Sequence, residues 1–100
     1  MKKYISIIAC LASSLISAAH SAVVEIYTAS YCSDCKTAKA YLQAHEIEFD
    51  EHDVEHDLLQ RKIFYARGGK GVPLLFVKGQ MMHGFEAEQF EKLRDSTGSP

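Results

Sequence analysis

Two cysteines separated by two residues, placed where a strand-forming run gives way to a helical pattern, restrict this chain more than any other feature. Residues 23–36 read V-V-E-I-Y-T-A-S-Y-C-S-D-C-K. Val23, Val24, Ile26 and Tyr27 favour a strand, residues 29–31 make a short turn, and Cys32 and Cys35 open the helix. Thiols at this spacing either close a disulfide on each other or share a metal ion. A disulfide across so short a loop removes little entropy from the unfolded chain, so stapling does not explain the pair. The spacing points to chemistry.

The third cysteine, Cys10, falls in a segment of different character. Met1-Lys2-Lys3 is positively charged, residues 4–16 are apolar, and residues 17–22 (S-A-A-H-S-A) are mostly small. This is the pattern of a signal peptide over residues 1–22, with cleavage expected after Ala19, Ser21 or Ala22. As a membrane anchor the apolar run is shorter than the roughly 20 residues a bilayer requires. The apolar stretch before Cys10 is too short to favour lipidation at that cysteine. Export to the periplasm or beyond is the expectation, and it leaves Cys32 and Cys35 as the whole cysteine complement of the mature chain.

The remainder, residues 23–95, suffices for one domain with one modest core, followed by a polar tail over residues 96–100. Formal net charge is -2 and Lys and Arg are scattered, which argues against nucleic acid as a partner. A monomer is expected. Residues 33–45 have helical periodicity, with Ala38, Tyr41, Leu42 and His45 on one face. Residues 47–54 suggest a second strand. Asp53 is expected to cap a helix starting at Val54, in which Leu58, Leu59, Lys62, Ile63 and Ala66 keep a three-four spacing. Gly68-Gly69-Lys70-Gly71 ends it. Residues 74–77 form an apolar strand, Lys78-Gly79-Gln80 a tight turn, and residues 81–83 the hairpin partner. Residues 85–94 close the chain as an amphipathic helix burying Phe85, Phe90 and Leu93.

The order β-α-β-α-β-β-α predicts an α/β fold. Its first two strands are parallel through a right-handed crossover, and the hairpin completes a four-stranded mixed sheet with helices on both faces. This is the minimal thioredoxin-like architecture. Glu25, the discordant residue of the first strand, is expected at a sheet edge or facing solvent.

A thiol at a strand-to-helix junction meets the free N–H groups of the first helical turn and the positive end of the helix dipole, and both favour thiolate at Cys32. Cys35, one turn further in, is expected to be more buried and protonated. Cys32 would attack a substrate disulfide and Cys35 would resolve the mixed disulfide; the reverse sequence oxidises a dithiol, and the residues leave the direction open. Asp34 repels a neighbouring thiolate, so Cys32 is expected to be less acidified than in strongly oxidising proteins, with Lys36 partly compensating. Asp34 as a plain helix-start residue is the competing reading. Tyr31 is expected beside the thiol, within reach of substrate. Pro73 opens a strand after Val72 and a glycine-rich loop, which fits a cis bond exposing the Val72 backbone to a substrate strand.

With V-V-E-I-Y-T-A-S-Y-C-S-D-C-K, G-V-P-L-L-F-V and G-F-E-A-E-Q-F, residues 23–93 resemble the glutaredoxin-family redoxins. The resemblance implies a thioredoxin fold, Cys32 as nucleophile, Cys35 as resolving thiol and a cis Pro73. The dipeptide between the cysteines, Ser33-Asp34, departs from the family's usual Pro-Tyr. Ala29 stands where dithiol glutaredoxins commonly carry a basic residue. Gly84-Phe85-Glu86 replaces the Gly-Gly-x-Asp segment that holds the glutathione backbone. Gly84-Phe85 is more similar to glutaredoxin-like redoxins that accept electrons from thioredoxin reductase, while Ile26 stands where thioredoxins proper keep a buried Asp. Substrates are therefore expected to be protein disulfides or glutathione, with a reductase or oxidase as the unidentified partner. No cofactor beyond the dithiol is expected.

Two other classes compete. Cys32-x2-Cys35 followed after sixteen residues by His52-x3-His56 approaches a zinc pattern. The expected placement of His52 on a strand and His56 on a helix is wrong for a finger. The second alternative, a redox-inactive binding module on the same fold, is disfavoured because both cysteines are present.

Overall fold

Every residue of β1 (Val24–Thr28) except Glu25 is buried, because the strand lies inside the sheet with both faces covered. The computed structural model describes residues 23–96, Ser96 by its backbone alone. It places β1 second in a sheet of order β2-β1-β3-β4. β2 (Phe49–Asp53) runs parallel to β1, with Thr28 opposite Asp53. β3 (Leu74–Val77) runs antiparallel on the other side, Tyr27 facing Leu74. β4 (Gln80–His83) closes the sheet antiparallel to β3. The helices are α1 (Ser33–Ala44), α2 (Leu58–Ala66) and α3 (Ala87–Ser96). The expected leader over residues 1–22, and residues 97–100 of the expected tail, lie outside the described residues. No helix among the described residues is long and apolar enough to cross a membrane.

The two-residue period of β1 and β3 divides the core in two. Val24, Ile26, Leu75 and Val77 face Ala38 and Leu42 of α1 and Phe90 of α3. Tyr27, Leu74 and Phe76 point the other way and meet Phe64 of α2. Strands covered on both sides read as continuous apolar runs, hence the unbroken L-L-F-V of β3. The α/β class, the strand directions and the helices on both faces agree with the sequence expectation.

Several boundaries do not. α1 stops at Ala44, with His45 as its C-cap and Glu46 at φ 56°. The Ile47 N–H then donates to the Leu42 carbonyl at 2.8 Å, so Ile47 belongs to the helix exit and β2 starts only at Phe49. Asp53 does not cap α2. Its Oδ1 accepts the N–H groups of Glu55 and His56 at 2.8 and 3.1 Å, folding residues 53–56 into a turn. Asp57 is the cap, accepting from Gln60 N–H at 3.1 Å. Both aspartates have the chemistry of a cap. Val54 decides between them, because its buried side chain and its N–H to the Thr28 carbonyl keep it with the sheet. Gln80 joins β4, leaving Lys78 and Gly79, both at positive φ, as a two-residue hairpin turn. Met82 is buried and Met81 exposed, one to each side of β4. Helix α3 starts at Ala87, so Phe85 reaches the core from the preceding loop.

The face of α2 is also different. Leu58 and Leu59 are exposed, whereas Phe64 is buried and Ile63 partly so. One aromatic ring packed against Tyr27, in the cluster that also holds Phe76, outweighs two leucines at the helix start. Arg67, one turn beyond Ile63 and Phe64, lays its guanidinium over the Phe76 ring at 3.6 Å. It also donates to Glu25 Oε1 at 2.8 Å and the Tyr27 hydroxyl at 2.9 Å. Glu25 is thus neither at an edge nor merely solvated. It sits half-buried on an inner strand between Arg67 and His52. The Arg67 hydrogen bond chiefly holds its carboxyl below the ordinary value.

Gly69 tests how tightly α2 is seated. A Cβ at this position would collide with the Phe64 ring, while the Gly69 N–H donates to the Phe64 carbonyl at 2.8 Å. Gly69→Ala is expected to cost about 1–3 kcal/mol, the usual penalty for overpacking. A urea denaturation midpoint equal to wild type would show that the ring moves aside freely.

Candidate functional site

Cys32 is the N-cap of α1. Its backbone is extended (φ -94°, ψ 105°) and its Sγ accepts the Cys35 N–H at 3.0 Å. The sulfur therefore occupies the place an Asp or Ser oxygen takes in an ordinary cap, and negative charge there is favoured by the helix end. Cys32 and Cys35 are joined as a disulfide with a Cα–Cα distance of 5.3 Å. Both cysteines are buried as residues, Cys35 more so (1% exposed against 7%), in line with the expectation that Cys35 is the more enclosed of the two. Asp34, between the two cysteines, and Lys36, just after them, are both exposed in the first turn of the helix. Tyr31, immediately before Cys32, is 75% exposed.

The sheet registers bring the other expected residues to the same end. β1 ends beside Asp53 of β2 and beside the start of β3. Pro73, buried and preceded by a cis peptide bond from Val72, therefore lies at the end of the sheet that carries Cys32. The Gly84 N–H donates to the Pro73 carbonyl at 2.9 Å, with Gly84 at φ 76°. That positive φ suits a glycine, and it turns the chain from β4 into Phe85. Phe85 is half-buried, 5.4 Å from the Tyr41 ring and 5.7 Å from Phe90. Its ring is thus part of the α1–α3 packing, and Val72 packs partly against the α2-side cluster.

Behind the disulfide is a cavity of about 220 Å³ that sequence reasoning did not foresee. Cys35, Lys36 and Lys39 of α1 line one side, Thr28, Glu51 and Asp53 of the sheet another, with Ser30 and His56 at the loops. Parallel pairing opposes Ile26 to Glu51 and Thr28 to Asp53, so both acids emerge on the α1 face. The alternation in D-E-H-D was the available signal, and only the register says which face it serves.

These groups are mutually engaged. Glu51 Oε2 accepts from Thr28 Oγ1 at 2.7 Å and Lys39 Nζ at 2.8 Å. Partial burial pushes the Glu51 carboxyl up, but the Lys39 and Thr28 donors together outweigh it and the net shift is downward. Glu55 Oε1 takes the Ser30 N–H at 2.8 Å and its hydroxyl at 2.6 Å, tying the loop before Cys32 to the loop after β2. Asp53 Oδ2 lies 2.9 Å from His56 Nδ1. That contact lowers the Asp53 pKa and raises that of His56 above its ordinary 6.5.

His52 and His56 do not complete a metal site with the cysteines. His56 lies in the turn before α2, not on the helix, and is committed to Asp53. His52 stacks on Tyr27, with ring centroids 4.7 Å apart, and pairs with Glu25 across the opposite face of the sheet. The period of β2 sends residues 52 and 53 to different faces, so a four-ligand cluster cannot form around the disulfide.

The family model for glutaredoxin matches residues 24–82. The glutaredoxin-like 8.6 kDa protein of the rubredoxin operon of Clostridium pasteurianum is 29% identical over 71% of this chain and 96% of its own length. A Synechocystis sp. protein described as a "probable glutaredoxin" is 37% identical over 64% of this chain and 75% of its own. Among solved structures, the thioredoxin-like protein BC3987 superposes with a TM-score of 0.64 at 27% identity, covering 70% of this chain and 97% of that one. The glutaredoxin-like NrdH-redoxin of Escherichia coli gives 0.62 at 20% identity, over 70% and 92%, a likeness of fold.

Proposed function

This chain belongs to the glutaredoxin family of thiol–disulfide oxidoreductases, and on that premise we propose that Cys32 and Cys35 are its redox pair, exchanging with disulfides of proteins or small thiols. One observation carries the assignment of roles. Cys32 caps α1, where the Cys35 N–H meets its sulfur, while Cys35 is enclosed one turn behind it. The capped sulfur is the better thiolate and the enclosed one the better reserve. Exposed Tyr31 and the edge formed by Val72, Pro73 and Gly84 provide the surface on which a substrate strand rests, with Phe85 supporting it from the core.

Asp34 modulates this chemistry. A carboxylate in the first turn opposes the Cys32 thiolate, and Lys36 offsets part of that effect. Asp34→Asn is expected to lower the Cys32 pKa, read from thiolate absorbance of the reduced protein. A value unchanged or raised would remove Asp34 from the site.

We propose a dithiol, rather than glutathione, as the efficient electron donor. Ala29 is buried and uncharged, and Phe85 is packed into the core, so neither offers a polar hold on a glutathione carboxylate or backbone. Insulin-disulfide reduction driven by dithiothreitol is expected to outpace the reaction driven by glutathione at equal thiol concentration. Equal rates, with glutathionylated Cys32 detected by mass spectrometry, would make this a glutathione-dependent enzyme instead.

A further inference from the structure

The oxidoreductase role proposed above leaves one chemical requirement that the two cysteines do not meet between themselves. When Cys35 attacks the mixed disulfide on Cys32, its thiol proton must depart, yet Cys35 is 1% exposed. Burial makes a thiol hold its proton more tightly. The proton therefore needs a route and an acceptor.

The cavity behind Cys35 supplies the route. At roughly 30 Å³ per water, its 220 Å³ accommodates several water molecules against Cys35 at one wall and His56 at another. His56 is exposed, so a proton taken up there can leave to solvent.

The chemistry of the lining selects the acceptor. Lys36 and Lys39, from α1, are hydrogen-bond donors by chemistry and offer no acceptor. Glu51, from β2, is already held as an anion by Thr28 and Lys39 on the same oxygen. Asp53 is occupied on both oxygens, by His56 Nδ1 on one and by the Glu55 and His56 N–H groups on the other. His56 alone in this lining is an imidazole, the side chain that ordinarily exchanges a proton near neutral pH, and it has a ring nitrogen with no hydrogen bond. With Nδ1 against Asp53, its Nε2 carries the lone pair, and Glu55 Oε2 is 3.9 Å away, outside hydrogen-bond reach. The charges around the ring are Asp53 and Glu55, which raise its proton affinity, and Arg61 of α2, which lowers it.

We propose that His56, oriented by Asp53, exchanges the Cys35 proton through water held in this cavity. In the resolving step Cys35 Sγ bonds to Cys32 Sγ and the bond from Cys32 to the substrate sulfur breaks. The substrate leaves as a thiolate with the bonding electron pair, and the Cys35 proton passes through water to His56 Nε2. From there it goes to solvent or to the departing thiolate. In the opposite direction the protonated imidazole returns a proton to Cys35 as the disulfide opens. His56 touches neither sulfur; it is a positioning residue for the proton.

Reaction of the reduced full-length chain with dithionitrobenzoate separates the steps. The first nitrothiophenolate released reports attack by Cys32, the second reports resolution by Cys35. In the wild type the second phase is expected to accelerate with pH through a sigmoid centred above 6.5. His56→Gln is expected to slow that phase about tenfold near pH 7.5, the low end of general-base effects because water intervenes. It is also expected to abolish the sigmoid. Asp53→Asn, which keeps a carbonyl acceptor for the turn, is expected to move the sigmoid down toward 6.5. Both variants should leave the first phase unchanged. A second phase with wild-type rate and pH profile in His56→Gln overturns the relay while leaving the oxidoreductase assignment intact. Absence of a Cys32-dependent first phase in the wild type overturns that assignment instead.

Discussion

Cys32→Ser is expected to reduce disulfide exchange to the uncatalysed background, whereas Cys35→Ser is expected to stop the reaction with substrate still attached. The asymmetry follows from position. Cys32 is the sulfur at the helix cap, in hydrogen-bonding contact with the Cys35 N–H at 3.0 Å, and a serine hydroxyl there has no comparable nucleophilicity at neutral pH. Removing Cys35 leaves the attacking thiol in place but deletes the group that expels substrate. The Cys35→Ser protein should therefore accumulate a covalent adduct on Cys32, visible as an added mass on the intact chain that dithiothreitol removes. Insulin reduction measures the first variant, and intact-protein mass spectrometry the second. Wild-type exchange no faster than the uncatalysed background would mean that the fold serves as a binding module, and undiminished turnover in Cys32→Ser with an adduct on Cys35 would reverse the assigned roles.

The largest effect on stability is expected at Phe90. Its ring is fully buried in the cluster that joins α3 to the sheet, 5.9 Å from Tyr41 and 5.7 Å from Phe85. The same contact zone holds the Tyr41 hydroxyl bonded to Glu91. Phe90→Ala removes a large apolar volume that its neighbours cannot refill, at a cost of about 3–5 kcal/mol. For a domain stabilised by roughly 5–15 kcal/mol in total, that is a large share. Leu59→Ala on exposed α2 surface is the matched control, expected to stay within about 0.5 kcal/mol. Urea denaturation measures both. A Phe90→Ala loss below about 1 kcal/mol would show that α3 contributes little to holding the sheet.

The contrast between Phe90 and Leu59 shows where the sequence was legible. Phe90 lies in a polar helix whose few apolar residues must all face inward, so its burial could be read directly from spacing. Helix α2 offers more apolar residues than its contact can cover: Leu58, Leu59, Ile63, Phe64 and Tyr65. Periodicity chose the face containing the leucines; the aromatic cluster around Tyr27 chose Phe64. The same limit applies to the two aspartates. Asp53 and Asp57 look alike as helix caps, and only the Val54 N–H bonded to the Thr28 carbonyl shows that the chain is still held to the sheet at residue 54, too early for a helix to start.

The redox pair, the alternation of elements and the α/β class were set by local sequence. A cysteine at a strand-to-helix junction and a proline after a glycine-rich loop carry their physical consequences with them. What surrounds the buried thiol was decided only in three dimensions. Glu51, Asp53 and His56 are sixteen or more residues from Cys35 in the chain. They reach it because β2 pairs parallel to β1 in one register, with Thr28 opposite Asp53. A shift by one residue would send both acids to the α2 face and leave the cavity lined by other side chains. Chemistry at Cys32 was written in adjacent residues; the path of its partner's proton was written in the register of two strands.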